Sequence, residues 1–191
     1  MRKLRSEVIK YSKKLNIANL SALRSGNISI RVKENGVKGF YITPSGRKYS
    51  SLKPKDIIFV SLKGIFDKKK GKPSSEWRFH RDIYVNKKEA KAIVHAHSTC
   101  ATAVSTHQKN IPAFHYMVAV AGGEDIKCTK YATFGTKSLS KNIIKALKNR
   151  TACLIANHGQ VAFGDTLEKS FELAQEIENI CHQYINALRI G

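Results

Sequence analysis

The chain has 191 residues, 42% hydrophobic and 25% charged, which suits one domain with a well-buried core and excludes a disordered chain. It carries 34 Lys and Arg against 14 Asp and Glu, a formal charge of +20, so its surface should attract anions. The basic residues run from Arg2 to Arg189 without the aromatic-interleaved stripe that stacks bases; phosphorylated metabolites are therefore expected as partners rather than nucleic acid.

Residues 4–16 have helical spacing, with Leu4, Val8, Ile9 and Leu15 between charged positions. Residues 28–33 alternate with period two, as a strand does, and 39–43 form the next strand after a turn at Asn35-Gly36. Pro44-Ser45-Gly46 ends it, and 57–62 is a third strand. Ser74 predicts the N-cap of a helix running to about Val85. Residues 91–98 read as a buried strand, and Ser98-Thr99 should cap an Ala-rich helix to about Thr106. The apolar segment 117–123 ends in a flexible Gly pair, and 138–148 is helical. A strand over 152–159 ends at Asn157-His158-Gly159, and 161–163 continues in extended form. The last helix runs from about Thr166 to Leu188. Short strands interspersed with helices, without regular βαβ repetition, predict a single α/β domain over 1–191: three layers, α/β/α, around a mostly antiparallel sheet.

Cys100, Cys128, Cys153 and Cys181 form no CxxC pair and read as free thiols of a reducing compartment. No signal peptide or membrane-length apolar run is evident, so the expected location is cytoplasmic and no membrane partner is expected. Neither a Rossmann nor a Walker motif is present.

Among seven histidines, His95 and His97 stand two apart on a predicted strand and so share a face. His158 lies at another strand end, between Asn157 and Gly159, where it can reach into a cleft. Three His and one carboxylate are a common catalytic zinc set, although Co, Mn or Fe suit the same donors. His80, His107 and His182 have no partner by spacing and read as helix-face or loop residues. Three further segments suit an anion: Gly26-Asn27-Ile28-Ser29, Thr43-Pro44-Ser45-Gly46, and Pro73-Ser74-Ser75 at a helix start.

These segments, with VHAH at 94–97, IPAFHYMVAVAGG at 111–123, YATFGT at 131–136, LKNR at 147–150 and NHG at 157–159, resemble the class II aldolase/adducin superfamily over nearly the whole chain, its fuculose-phosphate aldolases most closely. The resemblance implies one Zn²⁺ per subunit, held by His95, His97, His158 and Glu76, with Glu76 also the catalytic base. It implies a substrate phosphate held by Asn27, Ser45, Gly46, Ser74 and Ser75, where Ser45 replaces the usual Thr and keeps a hydroxyl. Tyr116 matches a tyrosine that acts on the aldehyde oxygen from a neighbouring subunit, and Phe134 an aromatic wall. The implied assembly is a homotetramer with interfacial sites, and the implied activity is that of an aldehyde-lyase of carbohydrate metabolism, cleaving a ketose 1-phosphate to dihydroxyacetone phosphate and an aldehyde. The related enzymes carry a C-terminal tail with a lid tyrosine, and this sequence stops where that tail begins. Pentulose-phosphate 4-epimerases and methylthioribulose-1-phosphate dehydratases share the metal pattern; the epimerases carry Asp where Glu76 stands. An adducin-like interaction module without chemistry is the alternative from another class.

Overall fold

The computed structural model describes residues Met1–Gly191. The chain runs α1 (Arg2–Ile17), β1 (Asn27–Glu34), β2 (Val37–Ile42), β3 (Ile58–Ser61), α2 (Trp77–Asn86), β4 (Ala92–Ala96), α3 (Thr99–Ser105), α4 (Lys137–Ala146), β5 (Ala152–Ile155), β6 (Gly159–Gly164) and α5 (Leu167–Ile190). The strands make one sheet in the order β3-β2-β1-β4-β6-β5. Every neighbouring pair is antiparallel.

The layers follow from period-two burial. Ala92, Val94 and Ala96 of β4 join the core beneath α1, α3 and α5, with Val8, Leu15, Phe171 and Ile177. Ile93 points the other way, to Phe79 and Ile83 of α2 and Leu139 and Ile143 of α4. Both faces of the sheet are therefore covered, which is why β4 is buried along its length. The helices meet the sheet with one stripe: α1 buries Val8, Tyr11, Ser12 and Leu15, and α5 buries Leu167, Phe171, Ala174 and Cys181. No helix is long and apolar enough to cross a membrane, and the four cysteines are free.

Four local expectations are corrected. Ser74 is not the N-cap of α2, which begins at Trp77 with Glu76 in the cap position. The Ser74 hydroxyl instead accepts from the Glu76 N–H at 3.3 Å, and its own N–H donates to the Thr43 carbonyl at 2.9 Å. That pairing ties 73–76 to the loop after β2 and delays the helix. Ser98 likewise does not cap α3 with its side chain: its hydroxyl accepts from Gln160 Nε2 at 2.8 Å. The Glu178 carboxylate on α5 takes the Cys100 and Ala101 N–H groups instead, at 2.7 and 2.8 Å, a pairing that favours the positive helix end.

The strand expected to run through 152–159 stops at Ile155, and 161–163 belongs to its hairpin partner β6. Asn157, at φ 56°, makes the reversal, as Asn does more readily than most residues. The Gly122-Gly123 pair is a seat rather than a hinge. A Cβ on Gly123 would lie 2.1 Å from Arg150 Cζ. Arg150 in turn holds Asp125 through its carboxylate at 2.7 Å and its carbonyl at 3.0 Å. This fastens the end of the 3₁₀ helix Tyr116–Ala121.

Candidate active site

Three central strands meet at one end of the sheet, two of them contributing side chains to the site and the third, through Gln160, a backbone carbonyl. Asn27, the first residue of β1, lies directly opposite His95 near the end of β4. Gln160, near the start of β6, lies opposite Ala96. His95 and His97 therefore emerge on the α2 face of β4, and His158 reaches in from the turn between β5 and β6. That turn presses on β4 so closely that a Cβ on Gly159 would sit 2.3 Å from the Ala96 carbonyl oxygen. Only glycine permits this approach. Glu76 arrives from the other side, at the start of α2.

The four ligand atoms, one from each of Glu76, His95, His97 and His158, all lie within 4.8 Å of one another. His95 is fully buried, and its Nδ1–H donates to the Gln160 carbonyl at 2.7 Å. A carbonyl can only accept, so in the neutral ring Nε2 carries a lone pair. That lone pair faces Glu76 Oε2 at 3.0 Å and His97 Nε2 at 2.9 Å. His158 Nε2 lies 3.0 Å from His97 Nε2 and 3.4 Å from Glu76 Oε1. Glu76 Oε1 is buried and accepts no hydrogen bond.

The His95 lone pair faces a carboxylate oxygen, acceptor against acceptor, which repels, and the orphaned Glu76 Oε1 is costly. A cation at the centre resolves both. Tetrahedral bonds of about 2.0–2.1 Å place ligand atoms about 3.3 Å apart, which is the scale of these contacts. The residues thus fit a metal ion. Burial holds the His97 imidazole down to about 3, helped by His95 and His158, and it holds His158 down to about 4, helped by His95. Both therefore offer neutral nitrogens at neutral pH. Burial would raise the Glu76 pKa, but His95, His158 and the Asn27 amide outweigh it and keep the carboxyl well below the usual range.

The cluster forms one wall of a cleft of about 430 Å³. Asn27, Ser45, Gly46, Ser74, Ser75 and Phe134 line the same cleft as Glu76, His97 and His158. Tyr116 does not. It is 80% exposed and borders a separate depression with His115 and Glu124.

Among the cleft residues to which sequence reasoning gave no role are Arg24, Tyr131 and Asn157. Arg24 is the one Lys or Arg in the lining, and its Nη1 donates to the Gly46 carbonyl at 3.1 Å. Its place two residues before Gly26-Asn27 was the available signal. His80 is the larger correction. Read as a helix-face or loop residue without partners, it is fully buried and bonded on both nitrogens, to Asn27 Oδ1 and, at 2.7 Å, to the Ser29 hydroxyl.

The class II aldolase and adducin N-terminal domain family matches residues 6–185. The chain is 42% identical over 188 residues to a 5-methylthioribulose-1-phosphate/5-deoxyribulose-1-phosphate aldolase of Rhodospirillum rubrum, covering 98% of this chain and 83% of that protein. It is 41% identical over 188 residues to an L-fuculose phosphate aldolase of Escherichia coli, covering 98% and 85%. The solved structure of an L-fuculose 1-phosphate aldolase superposes with a TM-score of 0.94 at 37% identity, over 100% of this chain and 89% of the other. The wholly antiparallel sheet between helical layers is the fold of these enzymes, and the chain belongs to the class II aldolase/adducin family, close to the L-fuculose-1-phosphate aldolases.

Proposed function

We propose that this class II aldolase is a zinc enzyme that reversibly cleaves a ketose 1-phosphate into dihydroxyacetone phosphate and an aldehyde. The observation that carries the reading is the convergence of three imidazoles and Glu76 on one wall of a cleft that also holds the hydroxyls of Ser45, Ser74 and Ser75 and the guanidinium of Arg24. The three-nitrogen, one-carboxylate set suits zinc. The names of the relatives narrow the candidates to L-fuculose 1-phosphate, 5-deoxyribulose 1-phosphate and methylthioribulose 1-phosphate.

Ser45, Ser74, Ser75, the Gly46 backbone and Asn27 hold the phosphate, and Arg24 supplies its countercharge. Anchoring there orients the carbonyl end of the substrate toward Glu76. The ion held by His95, His97, His158 and Glu76 would polarise the carbonyl and absorb the negative charge that develops on cleavage. In the cleavage direction, Tyr116 takes the proton of the carbinol hydroxyl. The bond between that carbon and the carbon α to the carbonyl then breaks, the aldehyde leaves, and Glu76 passes a proton taken up from solvent to the α-carbon, while Tyr116 returns to solvent the proton it took. In the synthetic direction Glu76 removes that proton and Tyr116 protonates the aldehyde oxygen.

Tyr116 lies outside its own chain's cleft, which supports its acting in a neighbouring subunit and hence a homotetramer with interfacial sites. Phe134 and Tyr131 frame the aldehyde side. The four free thiols suit a cytoplasmic enzyme.

The test is a retro-aldol assay on the three ketose 1-phosphates, detecting dihydroxyacetone phosphate, with chelated and zinc-restored protein. Triose release from none of them by zinc-loaded protein would overturn the reading. Elemental analysis should give one zinc per chain.

A further inference from the structure

His80 is a fully buried titratable group to which the mechanism above gives no task. Its surroundings form one continuous path to Glu76. The Glu76 carboxylate can only accept, so Asn27 Nδ2 is the donor in their 3.0 Å contact. Asn27 Oδ1 is then the acceptor facing His80 Nε2, and Nε2 must carry the ring proton. Burial holds the His80 imidazole down to about 3, so the ring is neutral and Nδ1 accepts from Ser29 Oγ at 2.7 Å. With its single proton spent on His80, Ser29 accepts from the Tyr84 hydroxyl at 2.8 Å. Each hydrogen bond in the path then has one donor and one acceptor, and all run in one direction.

The elements explain why this path can form. Asn27 and Ser29 are two apart on one face of β1, a separation of about 6.7 Å. His80 and Tyr84 are four apart on one face of α2, a separation of about 6 Å. One strand repeat thus matches one helical turn, and the two pairs interlock. No member is more than 5% exposed, so water cannot substitute for a missing partner.

We propose that His80 is a positioning residue: through the chain Tyr84–Ser29–His80–Asn27–Glu76 it fixes which end of the Asn27 carboxamide faces Glu76, and so aims the catalytic carboxylate. Without the Nε2 donor the carboxamide can flip and present its oxygen to the carboxylate, which repels it. The inference rests on Glu76 being the base of the proposed aldolase.

The test compares His80→Phe, which lacks the donor, with His80→Gln, whose amide N–H can occupy the place of Nε2–H. His80→Phe should lower kcat and zinc affinity by about tenfold to a hundredfold, while His80→Gln should recover most of both. In an Asn27→Ala background, His80→Phe should cost nothing further, because the path is already cut. An undiminished His80→Phe loss in that background, or equal losses in the Phe and Gln variants, would overturn the proposal. Nitrogen NMR of the wild-type protein decides independently of activity: the expected state is the neutral Nε2–H tautomer, and an Nδ1–H ring or an imidazolium refutes the path. Wild-type protein that cleaves no ketose 1-phosphate would defeat the aldolase reading, whereas the tautomer and the zinc affinities would still judge His80.

Discussion

The two ends of the cleft are built differently. At the metal end, His95 is fully buried on a central strand, its tautomer set by the Gln160 carbonyl, and Glu76 is held by Asn27. At the outer end stand Arg24, Tyr131 and Phe134, exposed and carried by irregular segments. Tyr116, assigned to the same chemistry, is absent from the cleft. A metal set needs fixed distances, and β4, the tight turn between β5 and β6 and the start of α2 supply them. Substrate discrimination needs shape that can vary, and loops can change without disturbing the sheet.

The contrast predicts graded consequences. Removing a ligand at the rigid end should be the most severe: His95→Ala should lose zinc by elemental analysis and activity to background. It should also be less stable, because the buried Gln160 carbonyl loses the His95 donor, which costs about 1–3 kcal/mol. A stable, metal-loaded variant would show that the end is less exacting than its geometry implies. Glu76→Gln should retain part of its zinc but lose about 10²–10⁴-fold in kcat; near-normal turnover would remove Glu76 as the base.

Tyr116→Phe should cost about tenfold to a hundredfold in kcat. If its hydroxyl serves a neighbour, co-expressing it with Glu76→Gln should yield mixed oligomers with restored activity. Mixed oligomers no more active than either parent would place the tyrosine elsewhere. At the outer end, Arg24→Ala should raise KM for a ketose 1-phosphate roughly tenfold, the order of one charged hydrogen bond, with kcat little changed and the gap shrinking in high salt. An unchanged KM would take the phosphate away from Arg24.

The smallest effect concerns acid. The His80 pKa lies at about 3 in the folded chain, below the ordinary value near 6.5. The unfolded chain therefore binds the proton first, and the stability that His80 contributes is complete above about pH 6.5 and declines as pH falls toward 3. The metal-free Tm should drop through that window, and less steeply in His80→Gln. A slope identical in both proteins would contradict the assignment.

The residue pattern by itself determined much of this protein. Period-two and period-3.6 burial depend on local geometry, so the strands, the helices and the layering could be read from the chain to within a few residues. His95 and His97 share a face because strand side chains alternate, and that needs no structure. The ordered motifs named several other cleft residues, since Asn27, Ser74 and His158 stand in recognisable company. Boundaries set by distant partners could not be read this way. The cap of α3 comes from Glu178, far along the chain, and the start of α2 from the Thr43 carbonyl. His80 looked idle because both of its partners lie on β1, some fifty residues earlier. A hydrogen bond is decided by where two atoms meet. Only the packing of α2 against β1 brings these together, and it turns a histidine without neighbours in sequence into part of the frame around Glu76.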